Sequence, residues 1–207
     1  MENKSQYEVV KQLDRTNPHF NREKIMQAVT LLIEAIGDDP KREGLVGTPD
    51  RVARMYEEIF EGMRYTNEQI AEIFNTCFET DSNDLVVVEH IPIFSYCEHH
   101  MVLMYNMNVS IGYIPNKKVI GLSKVARIAE MCSKRLQLQE RIGNDIVEVL
   151  QKVLDTKNII VVIEGEHSCM TTRGVKSRGS KTKTATLSGI FKNDVAVRNE
   201  FYSLINK

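Results

Sequence analysis

The chain has 207 residues, 42% of them apolar, and a formal net charge of −1, so it can bury one substantial core as a single domain with a helical extension. A charge this near balance leaves no electrostatic footprint for nucleic acid, and the longest apolar runs, Leu85 to Val88 and Ile159 to Ile163, are far too short to cross a membrane. The four cysteines, at 77, 97, 132 and 169, are too few and too scattered to staple a secreted fold, which predicts reduced thiols.

In chain order, Met1 to Phe20 mixes Glu2, Lys4, Glu8, Lys11, Asp14 and Arg15 with few apolar residues. It holds no signal-type apolar core, so a cytoplasmic protein is expected. A helix from about Asn21 to Ile36 puts Ile25, Ala28, Val29, Leu32 and Ile36 on one stripe and stops at Gly37. Asp38 to Gly47 is a turn-rich link. Thr48 is expected as N-cap with Pro49 at the first helical position, opening a helix to about Glu61. A short helix from about Asn67 to Cys77 then closes an N-terminal helical region, residues 1–82, with Cys77 as a packing residue.

The pattern changes at residue 83. Leu85 to Phe94 is rich in Val and Ile, and Met107, Val109, Ile111 and Tyr113 alternate with Asn108, Ser110 and Gly112, which predicts two strands. Ser123 is expected to cap a helix to about Leu136 with Val125, Ile128 and Cys132 on its buried face. A second helix from about Glu140 carries Ile142, Ile146, Val149 and Val153, and strands follow over Asn158 to Glu164 and Thr182 to Phe191 before a last helix from about Asp194. The fold class is α+β: a ββααββ unit over residues 83–207, with a four-stranded antiparallel sheet and helices on one face. Such a sheet has two open edges and an uncovered face, which edge-to-edge oligomerisation would hide.

Two short clusters carry the chemistry. Cys97-Glu98-His99-His100 and His167-Ser168-Cys169 put thiols and imidazoles at metal-ligand spacing, with no evident fourth ligand. Closed structural zinc sites take four such ligands, whereas hydrolytic sites hold three and keep a position for water, so the chain reads as a zinc hydrolase. Cys97 and His100 have the spacing that lets one turn bring both donors onto an ion, leaving His99 beside them. If Glu166 to Cys169 continues the preceding strand, His167 and Cys169 project to the same side. The two spare imidazoles can move protons near neutral pH.

Anion binding is the second theme. Ser123-Lys124 opens a helix whose free N–H groups favour phosphate, with Arg127 one turn on; Arg173-Gly174 follows the second cluster, and Arg51 and Arg54 add cations on the Thr48 helix. Gln139-Glu140-Arg141 is ordinary at a helix start, except that a carboxylate can accept two parallel hydrogen bonds from guanine N1–H and N2–H.

In this order, Gly44-Leu-Val-Gly-Thr-Pro-Asp-Arg51, Cys97-Glu-His-His100, Tyr113-Ile-Pro115, Ile120-Gly-Leu-Ser-Lys124, Gln139-Glu-Arg141, His167-x-Cys169, Arg173-Gly174 and Gly189-Ile-Phe191 resemble GTP cyclohydrolase I from about Gly44 to the C-terminus. The resemblance implies a tunnelling fold, in which ββααββ units join into barrels and two rings stack as a homodecamer with active sites between subunits. It implies Cys97, His100 and Cys169 as ligands of Zn2+, and His99 and His167 as catalytic. It also implies Glu140 and Gln139 on the base, and Ser123, Lys124, Arg127, Arg173, Arg51 and Arg54 on the sugar and triphosphate of GTP. The implied reaction turns GTP and water into 7,8-dihydroneopterin triphosphate and formate, with no nucleic-acid or membrane partner.

The chain departs from the family pattern in two places. Met101 to Met107 lacks the usual Pro-Phe and is one residue longer, and Lys176 to Lys183 is more basic. Two other classes stay open: a tunnelling-fold nitrile reductase with a nucleophilic cysteine, a nicotinamide cofactor and no zinc, and a non-catalytic zinc module that binds nucleic acid.

Overall fold

A computed structural model describes residues 20–205; all but the last residue of the Met1 to Phe20 stretch lies outside them. The chain divides into two compact units between Arg64 and Tyr65.

In the first unit, α1 (Arg22–Ala35) begins where the Asn21 side chain accepts from the Lys24 N–H at 2.8 Å. It ends in a turn in which Gly37, at φ +90°, sends its N–H back to Glu34 O. The second helix, α2 (Thr48–Ile59), has Pro49 in its first turn, where a missing N–H costs nothing. Gly47 is at the cap position instead of the expected Thr48, which is already helical. An ion pair from Arg22 to Asp50 ties α1 to α2, and a 3-10 turn, Glu61–Arg64, follows.

The second unit opens with α3 (Asn67–Ile73), closed at its start by a capping box between Thr66 and Gln69. It stops at Ile73, short of the expected Cys77, because Cys77–Glu79 (β1) pairs with Lys118–Ile120 (β4) in a separate two-stranded ribbon. Cys77 is thus a half-buried strand residue, its thiol 3.6 Å from Val153 O, and not a helical packing residue.

The main strands are β2 (Val86–Cys97), β3 (Leu103–Tyr113), β6 (Ile159–His167) and β7 (Thr182–Leu187), antiparallel in that spatial order. A fifth, β5 (Leu136–Gln137), pairs in parallel with Tyr96 and Cys97 at the edge of β2. Between β3 and β6 lie α4 (Leu122–Ser133) and α5 (Gln139–Leu154), so the ββααββ order stands. The helices present Val125, Ile128, Ala129, Ile142, Ile146, Val149 and Leu150 to the sheet, all fully buried. Close approach of α5 needs Gly143, where any Cβ would overlap Thr186 Oγ1 on β7.

The last strand ends at Leu187, four residues short of the expected Phe191, because Gly189 takes φ +55° against Asn158 Oδ1 and Lys157 O. Two short helical pieces follow, α7 (Ile190–Asn193) and α8 (Val195–Ile205). Their Phe191 and Phe201 pack on Ile160, with Val87, Val162 and Leu187 around them. Because successive strand residues alternate faces, these side chains cover the side of the sheet opposite to Val161 and Ile163.

Two bulges shift the strand phase. On β2, two steps of β3 (Ile111 to Val109) face three of β2 (Val88 to Ile91), with His90 at φ +55°. On β3, three steps (Tyr105 to Asn108) face two of β6, with Asn106 at φ +48° and its Nδ2 donating to Glu166 Oε1 at 2.9 Å.

Candidate metal centre and substrate site

The inward row of β2 runs Ile91, Ile93, Ser95, Cys97, all buried, so strand alternation delivers the Cys97 thiol to the inside at the last position of the strand. A tight turn follows. The Cys97 N–H donates to Val102 O at 2.9 Å, the Met101 N–H to Cys97 O at 2.8 Å, and Met101 takes φ +53°. The Glu98 N–H donates to Gln137 O at 3.1 Å, and the Glu98 carboxylate is gripped by the Arg141 guanidinium, which holds it below the usual carboxylate range. His99 and His100 project from this turn, both exposed, their rings edge to face.

The second cluster differs from its sequence reading in one respect. β3 begins at Leu103, so β6 runs out of a partner at His167, and Ser168–Thr171 (α6) coils into a helical turn. Cys169 therefore lies off the strand, not on the same strand face as His167. The donor atoms of Cys97, His100 and Cys169 nevertheless lie within 4.8 Å of one another, the single such group of three among the described residues. Tetrahedral zinc with two sulfurs and a nitrogen needs donors about 3.6–3.8 Å apart, so a small contraction of this group would hold the ion. Burial, and then the neighbouring Cys97 thiol, push the Cys169 thiol above its ordinary pKa. Arg173 Nη1 donates to His100 Nε2 at 2.8 Å.

His167, at the end of β6, is half-buried. Burial draws its pKa below the ordinary histidine value, while the negative charge of Glu140 pulls the other way. Its Nε2 meets Gln139 Oε1 at 2.9 Å. Gln139 and Glu140, adjacent in the first turn of α5, have opposite fates: Gln139 is 1% exposed, at the head of the stripe that continues as Ile142, Ile146, Val149 and Val153, and Glu140 faces out.

The remaining cations occupy three elements. Ser123 and Lys124 are in the first turn of α4, but the cap position is Gly121, so Ser123 lies inside the helix and is not its cap. Burial and then the charge of Arg127 lower the pKa of Lys124. Arg51 and Arg54 are exposed on α2 of the first unit, Arg54 paired with Asp50. From the basic segment, Lys181 and Lys183 both pair with Glu164, so part of its positive charge is answered within the protein.

Sequence reasoning missed the Glu98–Arg141 clamp and the internal use of Gln139. The second had a signal: an amide three residues before Ile142, in phase with an apolar stripe, marks a buried polar group. The first had none, because the two residues lie 43 positions apart.

A family model described as GTP cyclohydrolase I matches residues 25–206. The chain belongs to the GTP cyclohydrolase I family. Proteins named GTP cyclohydrolase 1 share 58% identity over 182 residues in Clostridium botulinum (strain Langeland), covering 85% of this chain and 93% of that one. In Ruminiclostridium cellulolyticum the figures are 55% over 191 residues, 89% of this chain and 98% of its relative. Among solved structures, an archaeosine synthase QueF-Like in the apo form aligns at TM-score 0.41 and 16% identity, over 54% of this chain and 97% of its own. Membership of the GTP cyclohydrolase I family rests on the sequence matches alone.

Proposed function

We propose that this chain is a zinc-dependent GTP cyclohydrolase I that converts GTP and water to 7,8-dihydroneopterin triphosphate and formate. The observation that carries the reading is the Cys97–His100–Cys169 group, three soft and borderline donors from two separate segments gathered within 4.8 Å, in a chain of this family. Those three residues would hold the ion, which when bound supplies the Lewis acidity that brings the pKa of water near ~7.

The chain's own residues account for recognition and proton transfer. Glu140, exposed at the start of α5, accepts from guanine N1–H and N2–H, a donor pair adenine lacks. Lys124 and Arg127 on α4, with Ser123, Arg173, Arg51 and Arg54, take the sugar and triphosphate and hold the ribose against the base. His167 protonates N7, which makes C8 electrophilic toward water, and the imidazole ring opens. Hydrolysis of the formamide releases C8 as formate. The ribose then rearranges and the ring recloses with loss of water, His99 and His167 carrying protons, so that two waters enter and one leaves.

The N-terminal residues 1–82 and the catalytic residues 83–207 act as one functional whole, in a homodecamer with active sites between subunits. Among the described residues β7 has a strand neighbour on one side only, an open edge that supports assembly. A cytoplasmic setting is supported by four free cysteines and by the finding that no described helix is long and apolar enough to cross a membrane.

The test is incubation with GTP while formate and pterin fluorescence are measured, with and without a chelator and in Cys169→Ala. Formate release that stops in both of the latter, together with loss of bound zinc from the variant, is expected. Full turnover in a zinc-free variant would overturn the reading.

A further inference from the structure

Gln139 is an amide at the head of a buried apolar stripe, and its polar atoms are engaged inside the protein. Its Nε2 donates to Ile163 O at 3.0 Å and Thr182 O at 3.1 Å, and lies 3.2 Å from Thr184 Oγ1. Two of these three partners are carbonyl oxygens, which only accept. Turning the amide end for end would set Oε1 against both, so its orientation is fixed.

Oε1 therefore faces His167 Nε2, at 2.9 Å. It too can only accept, so Nε2 must carry a hydrogen, and in the neutral ring the lone pair sits on Nδ1. The space for this arrangement comes from Gly165 on β6, where a Cβ would stand 3.3 Å from Gln139 Oε1 and 2.8 Å from Met107 Cγ.

We propose that Gln139 is a positioning residue that locks His167 in the Nε2–H tautomer and so presents Nδ1 to the substrate. This replaces the role in base binding that its place beside Glu140 suggests. The inference rests on the role of His167 proposed above.

Solid-state NMR of zinc-loaded protein labelled with 15N only in histidine distinguishes protonated from bare ring nitrogens, and a His167→Asn sample identifies the relevant signals among five histidines. The expected wild-type spectrum has His167 protonated at Nε2 and bare at Nδ1. In Gln139→Met, of similar length and without an acceptor, the two tautomers mix. The kcat for formate release falls roughly 10- to 100-fold, as when a group orienting an imidazole is lost, with KM within about twofold and zinc content kept.

A wild-type His167 protonated at Nδ1, or an unchanged tautomer in the variant, overturns the proposal. So does a raised KM with kcat intact, which would put Gln139 on the base. Should Gln139→Met fail to fold, the wild-type spectrum still decides the tautomer. A wild type that releases no formate would remove the reaction, and with it the task of Nδ1, while the tautomer is read independently.

Discussion

Replacing Asp145 with Ala should cost the second unit about 3 kcal/mol and loosen the turn that carries Cys97 and His100. Asp145 and Arg135 form an ion pair at 2.9 Å with both side chains only 15% exposed. Asp145 also accepts from Gln137 Nε2 at 2.8 Å and from Asn67 Nδ2 at 3.2 Å. Breaking a buried pair from one side costs about 3–5 kcal/mol. Arg135 keeps Asn67 Oδ1 at 2.9 Å and Tyr65 O at 3.0 Å, which places the loss toward or below the low end, about 2–3 kcal/mol. Gln137 keeps Cys132 O and loses one acceptor, adding about 0.5–1 kcal/mol. For a chain of this size that total lowers Tm by about 6–12 °C, measured by calorimetry at a fixed protomer concentration, because assembly adds to apparent stability. Gln137 pairs with Cys97 and accepts the Glu98 N–H, so weaker zinc retention on dialysis should accompany the loss. A decrease below about 1 kcal/mol would refute the view that this cluster is energetically buried.

Gly143→Ala should destabilise by about 1–3 kcal/mol through overpacking on Thr186, and adding Thr186→Ala should recover much of it; a double variant no better than the single one would remove Thr186 as the cause. Glu140→Ala should raise KM for GTP at least tenfold, the effect of losing a charged hydrogen-bond acceptor for two donors, with zinc content unchanged, and a parallel loss of metal would point to a damaged site. Glu164, held below the ordinary glutamate pKa first by Lys181 and then by Lys183, binds fewer protons folded than unfolded. Its contribution is therefore present above the unfolded value and lost as pH falls through the folded one. Glu164→Gln should flatten the acid limb of Tm below the ordinary glutamate pKa, and an unaltered limb would count against this pair of contacts.

Much of this architecture was legible because period and composition carry it. The Val- and Ile-rich runs gave β2 and β6, and the stripe Ile142, Ile146, Val149, Val153 gave α5. What the sequence hid was set by pairing between distant segments. Cys77 became a strand residue because Lys118–Ile120 offers it a partner, and Cys169 left its strand because β3 starts only at Leu103. That Cys97 and His100 could serve one ion was legible from spacing, since they share one turn. Gln139 shows the value of helical phase: in step with Ile142 and Ile146, its side chain turns inward while that of its neighbour Glu140 faces out.

The bulge at Asn106 has a consequence for how this region can change over evolutionary time. Met104 and Met107 are both buried although an odd number of positions apart, which a regular strand forbids. Deleting Asn106 would leave Met104 and Met107 two positions apart, opposite Ser95 and Ile93, so both would stay on the buried side and the kink would straighten. One residue lost or gained within the regular run Val109 to Tyr113 would instead exchange the wet and dry sides of the strand. Single-codon changes in length should therefore be confined to the kink.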